Sequence, residues 1–288
     1  IKDDRIPTIR ANYGVGTLPS LFGRKSRILA NNLPWVDHCE SVDEVRALVA
    51  KGIPDLDTGF GKRVSETHAF YRETLAQYPN CEACIHIMHP DLQGPFDVAH
   101  LIWGPDIYYA LYDEEDLVHE LMELVTQTYI KACERFQSQI NSTTPDGYCY
   151  HWSALYPGAL LLRNDSAVNL SSEMYQEFVR PYDEKILAHF GEGSMHFCGR
   201  ADQWLSDMAD TKNLAGFNFG YMPGKFGAEF MDKFHQLFTD KKLPVISYVL
   251  SREEFEAFDL EKHGAGITLE IGLPSRQEAV EALSKYYA

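Results

Sequence analysis

The 288-residue chain has no apolar run approaching the about 18 residues that a membrane-spanning helix requires, so no span is expected. It is short of positive charge: Lys and Arg total 26 against 42 Asp and Glu, a net charge of −16. No run of basic residues offers a local exception. Polyanions would be repelled, which excludes nucleic acid and an anionic membrane surface as expected partners. Cysteine is sparse. The six residues, at 39, 81, 84, 133, 149 and 198, do not make a disulfide scaffold in a chain this long, and a reducing, cytoplasmic setting is expected. No secretory leader is visible, and the chain opens on Ile1 rather than Met, so the N-terminus is expected to be truncated. The glycine-containing run Asn12-Tyr13-Gly14-Val15-Gly16 lacks the third glycine of a dinucleotide fingerprint. Cys81-x-x-Cys84 lacks a second such pair, which weakens a zinc or redox reading of it.

What is present is core-forming material: 45% of residues are hydrophobic and 12% aromatic. Eight short segments read as strands, at 5–11, 84–89, 147–152, 159–163, 194–198, 216–220, 243–250 and 266–271. Helical patterns fall between them. Residues 114–139 carry a wide apolar stripe at three- and four-residue spacing, with Cys133 on it. Ser41, Ser251 and Ser275 each stand three residues before Glu, as helix caps do, and Ser171 or Ser172 caps a helix over 173–190 that Pro181 should kink or break. Further helices are expected over 65–77, 202–208 and 226–239. Strands alternating with helices predict an α/β protein, a single-domain (β/α)8 TIM barrel over 1–288, with no linker or internal repeat. The third and fourth strands lie close together, so one of them could be something else.

Function is sought where a barrel places it, at the C-terminal ends of the strands. The run Ser194-Met195-His196-Phe197-Cys198-Gly199 is the focus. Side chains two apart on a strand share a face, so His196 and Cys198 project together. Imidazole plus sulfur suits zinc better than magnesium or calcium. The plainer alternative is a core histidine beside a small buried cysteine. Glu270 is an unusual residue for a strand, and with His196 and Cys198 it would complete three protein ligands and leave one position open. A strand-end carboxylate in solvent is its plainer reading. Asp165 could act as a rim base or a helix cap, and His151 and Tyr248 as catalytic groups or packed aromatics. Asn12, His89, Gln93 and Asn218 complete the expected rim as substrate contacts.

Two longer runs carry a resemblance. Residues 165–182 (DSAVNLSSEMYQEFVRPY) and Met195-His196-Phe197-Cys198-Gly199 resemble the uroporphyrinogen decarboxylase superfamily, and Asp91-Leu92-Gln93-Gly94-Pro95-Phe96 does so more weakly. The superfamily implies a (β/α)8 barrel. Its decarboxylase branch implies an N-terminal arginine-rich run, whereas Arg10-Ala11-Asn12-Tyr13-Gly14 offers one arginine. Its cobalamin-linked branch implies a His-x-Cys…Cys zinc site and methyl transfer with a corrinoid carried by a partner protein. His196 and Cys198 match the first two ligands. No cysteine follows Cys198, and Glu270 lies near where the last would fall. The expectation is a zinc-dependent methyltransferase moving a methyl group between a small substrate or thiol and a corrinoid protein. The alternatives are a metal-free decarboxylase of a porphyrin-type substrate and a binding barrel without chemistry.

Overall fold

Short apolar segments between amphipathic helices become strands close to where the hydrophobic pattern puts them. The computed structural model describes residues 4–28, 30–140, 147–220 and 228–284. Its main strands are β1 (Thr8–Arg10), β2 (His86–Met88), β3 (Tyr148–His151), β4 (Ala154–Pro157), β5 (Leu161–Arg163), β6 (Gly193–Cys198), β7 (Leu214–Gly220), β8 (Val245–Leu250) and β9 (Ile267–Ile271). Strands β5 to β9 form one parallel sheet in sequential order, and β1 pairs with β2, also in parallel. The architecture is therefore α/β. Among the described residues the two parallel sheets do not join into a closed ring of hydrogen bonds, so the expected eight-stranded closure is not seen.

The third expected strand departs most. Instead of leading into a helix, β3 turns back into β4 as an antiparallel hairpin, Tyr148 opposite Pro157 and His151 opposite Ala154. The turn is Trp152-Ser153, with φ of 43° and 63°. Positive φ at both central positions gives a two-residue turn whose twist suits a hairpin, and two residues with side chains bear the strain of it. The tip is tied down: Ile6 N donates to Ser153 O at 2.9 Å. The return strand lies against the parallel sheet, where Ser194 Oγ donates to Pro157 O at 2.7 Å.

The helices follow their caps. α1 (Val42–Lys51) opens with Ser41 Oγ accepting from Glu44 N, and α9 (Arg252–Ala257) has a complete capping box, whereas α2 (Gly59–Leu75) starts earlier than expected. α3 (Pro95–Trp103) was not anticipated; Gly94 precedes it and Pro95 takes its first position, where a missing N–H costs nothing. α4 (Glu115–Gln137) buries the expected stripe, Cys133 included. The kink at Pro181 becomes a full break between α5 (Ser172–Phe178) and α6 (Arg180–Phe190). α7 is shorter than expected (Leu205–Ala209), and α10 runs over Arg276–Ser284. Of the helix expected over 226–239, the start lies outside the described residues; the described part, α8, runs Ala228–Lys241. No helix among the described residues is long and apolar enough to cross a membrane.

Alternation along β6 sets up the site. Met195 and Phe197 face the helices and join the main core, where Phe197 packs edge-on against the fully buried Trp204 at 4.8 Å. Ser194, His196 and Cys198 take the opposite face.

Candidate metal centre

Parallel pairing sets Arg163 at the end of β5 beside His196 on β6, and His196 beside Asn218 on β7. The two residues after Arg163 bring Asp165 over the end of β6. Asp165 Oδ1 accepts from Cys198 N at 2.7 Å and stands 3.5 Å from His196 Nε2. His196 Nε2 and Cys198 Sγ are 3.2 Å apart. The ligand atoms of Asp165, His196 and Cys198 all lie within 4.8 Å of one another. The carboxylate grouped with the His-x-Cys pair is thus Asp165. Glu270, expected as the third ligand, is not in that group; its strand lies three places away across the sheet, beyond β7 and β8.

The surroundings hold these donors in place. His196 Nδ1 donates to Asn218 Oδ1 at 2.5 Å, and Asn218 Nδ2 donates to Ile246 O at 2.6 Å. That chain fixes the amide orientation and hence the imidazole tautomer, leaving the Nε2 lone pair toward Cys198 and Asp165. Asp97 at the start of α3 accepts from Asp165 N at 2.8 Å and Ser166 N at 2.6 Å, so a buried carboxyl group, its pKa raised to about 8 by burial and by Asp165, pins the turn that carries Asp165. Gly220 makes room for the sulfur: a Cβ there would sit 2.4 Å from Cys198 Sγ. Burial lowers the His196 pKa to about 4, and withdrawal from water together with the Asp165 charge pushes the Cys198 thiol up to about 12. At neutral pH the imidazole and the thiol of the group are therefore both uncharged. A soft divalent cation would displace the thiol proton and meet sulfur, nitrogen and oxygen together, a donor set that fits zinc.

Beside the triad opens a cavity of about 520 Å³, lined on one side by His196 and Asn218 and elsewhere by Arg10, Trp152, Ser247 and Glu270. Beneath it lies an ionic cluster. Arg163 and Asp91, both nearly buried, pair at 2.7 Å, and Arg163 also bonds His151 Nε2 and lies under the Trp152 ring, 4.2 Å from its centroid. Trp152 in turn meets the His196 ring edge-on at 5.0 Å. The sequence pattern places Asp91 in a strand-end loop suited to a ligand, but it does not mark Asp97, Trp152 or Arg163 as site residues. Arg163 left one signal, a charge closing the apolar run Ala159 to Leu162 just ahead of Asp165.

The other expected rim residues divide. His151 is buried and neutral, its pKa driven well down by burial and by Arg163; it serves as the acceptor of Arg163 rather than as an exposed catalytic group. Gln93 donates to Asp91 Oδ1 at 2.7 Å and so braces the ion pair. His89 is buried against His151, bonds Pro90 O at 2.8 Å, and lines a different cavity. Asn12 is exposed and closes its own turn onto Gly14 N. Tyr248 points away from the mouth, its hydroxyl donating to Met231 Sδ at 3.5 Å and its ring near Phe234 and Phe258. A register shift between Val245 and Tyr248, with Ser247 at φ 53°, interrupts the strand and places Ser247 and Val249, not Tyr248, on the cavity.

One buried carboxylate behind the site gives a pH prediction. Asp183 is fully buried, takes Asn164 Nδ2 at 2.7 Å, and burial raises its pKa to about 7. The folded state therefore keeps a proton that the unfolded chain releases near pH 4. Stability from this group is complete below that value and is lost as pH rises through about 7. Asp183→Asn is expected to be more stable than the parent above pH 7, on the order of 4 kcal/mol, with the margin vanishing toward pH 4. Urea unfolding across that pH range checks it; a pH-independent margin would contradict it.

No protein-family model matches the chain, and no curated protein sequence matches it. Among solved structures, the fold is similar to that of "methyltransferase from Methanosarcina mazei", with a TM-score of 0.66 and 18% identity, covering 98% of this chain and 81% of that one. At that identity the likeness is one of fold.

Proposed function

We propose that the chain is a methyltransferase built on a barrel-like α/β frame, with a zinc ion held by Asp165, His196 and Cys198, that moves a methyl group between a small thiol and a corrinoid carried by a partner protein. The observation that carries this reading is the convergence of one sulfur, one imidazole nitrogen and one carboxylate beside an open cavity. Three protein ligands with room for a fourth is the pattern of a catalytic zinc rather than a structural one. Zinc there would supply Lewis acidity, making a thiol a nucleophile at neutral pH. The protein's own part is positional. Asn218 holds His196, Asp97 holds the Asp165 turn, and the Trp152 ring packs edge-on against the imidazole. A cavity of about 520 Å³ takes a small molecule but leaves no space for a whole corrinoid, so the partner would present its methyl group at the mouth. The fold likeness to a methyltransferase supports the same reading. The decarboxylase alternative has less behind it, since a many-carboxylate substrate needs several cationic contacts.

The test is methyl transfer by zinc-loaded protein from methylcobalamin to small thiols, followed by mass spectrometry of the thioether. Product that disappears with a chelator and returns with zinc is expected. Zinc-loaded protein that methylates no thiol would overturn the proposal.

A further inference from the structure

Cys81-x-x-Cys84 plays no part in the candidate centre, yet the fold gives it a definite geometry. Residues Pro79–Glu82 form a single helical turn, and the chain closes behind it: Cys84 N donates to Cys81 O at 3.1 Å, and Ile85 N donates to the same oxygen at 2.7 Å. Residues three apart on such a turn share a face, with Cβ atoms about 5–6 Å apart. Their Cα atoms are then less than about 7 Å apart, the limit beyond which a disulfide cannot form. Both thiols are free and exposed, whereas Cys39, Cys133 and Cys149 are buried. Every residue from Ala76 to Cys84 is exposed, so the turn has room for the movement of about 1–2 Å that brings the two sulfurs together.

We propose that Cys81 and Cys84 are a surface dithiol that exchanges with a small disulfide bearing no negative charge. Glu82 lies between the two cysteines and the chain carries −16, so an anionic disulfide is held off while a neutral one is not. In the first step the thiolate of one cysteine attacks the small disulfide. Its S–S bond breaks, a mixed disulfide forms on the protein, and one small thiol leaves with the proton that the cysteine gave up. In the second step the thiolate of the other cysteine attacks the protein sulfur of the mixed disulfide, and the second small thiol leaves in the same way. The protein loses two electrons and two protons, and the small disulfide gains them. A bond that draws the Cβ atoms in from their helical spacing is strained, and thiol reopens it readily. The turn leads into β2, where His86 N donates to Pro7 O at 3.0 Å, and stands at the opposite end of that strand from Asp91. The exchange is therefore independent of the zinc and methyl-transfer readings.

The experiment incubates the purified protein with excess 2-hydroxyethyl disulfide, which is neutral, and maps the peptide carrying both cysteines by mass spectrometry. The expected product is that peptide short of two hydrogens and free of mercaptoethanol, and added 2-mercaptoethanol should restore both thiols. Cys81→Ser and Cys84→Ser should each keep one mercaptoethanol on the remaining cysteine, because the second thiol that releases it is gone. Both positions are exposed, so neither variant is expected to lose its fold. At low salt, 3,3′-dithiodipropionate, of similar size but anionic, should react at least about threefold more slowly, and the gap should close as salt is added. A parent protein that retains mercaptoethanol on either cysteine, or leaves both thiols unmodified, would overturn the proposal. Equal rates for the two disulfides at low salt would overturn the stated preference for a ligand without negative charge.

Discussion

Purified Cys198→Ala protein is expected to carry less than about a tenth of a zinc ion per chain where the parent carries about one. His196→Ala and Asp165→Ala should behave in the same way, and Glu270→Ala should keep its metal. Asp165, His196 and Cys198 offer ligand atoms within 4.8 Å of one another, and Glu270 is not in the group. Three protein ligands already leave a position open, and two hold zinc far more weakly. The pH dependence sharpens the test. His196, with a pKa near 4, is already neutral at pH 5, and the thiol, near 12, is still protonated at pH 8. Zinc binding then releases one proton, from Cys198. Its affinity should rise about tenfold per pH unit between about pH 5 and 8. Elemental analysis and a competition titration with a chromogenic chelator give both results. Metal retained in Cys198→Ala, or lost from Glu270→Ala, would reject this ligand set.

Asp91→Ala is expected to lower the stability of the fold by about 3–5 kcal/mol. The Asp91 carboxylate is 7% exposed and the Arg163 side chain 6%, so truncation leaves a guanidinium in the interior without a counter-charge. Gln93 loses its acceptor as well, and Arg10 its nearest negative neighbour. The damage should reach the site, since Arg163 supports Trp152, which lies against His196. Urea unfolding monitored by circular dichroism measures the loss. A change below about 1 kcal/mol would contradict this and mean that water reaches Arg163 and screens its charge.

Local patterns decided a good deal on their own. Period-two alternation was enough to put His196 and Cys198 on one face of a strand, and that pair is the nucleus of the candidate centre. Serine-to-glutamate spacing marked the starts of α1, α9 and α10, since a cap is satisfied within one turn. The apolar stripe of α4 likewise needed no partner to be legible. What the tertiary structure alone decided is which distant residues meet. Asp165 replaces Glu270 beside the pair because β5 and β6 are paired with Arg163 next to His196, and nothing within either segment states that register. Tyr248 turns to the helices because an irregularity at Ser247 changes which residues of its strand face inward. The aromatic segment at 147–152 folds back on itself because Trp152 and Ser153 both accept positive φ, which a composition rich in strand formers does not reveal. Faces and caps depend on neighbours within a few residues, while ligand sets depend on pairing between segments tens of residues apart, and only folding brings those together.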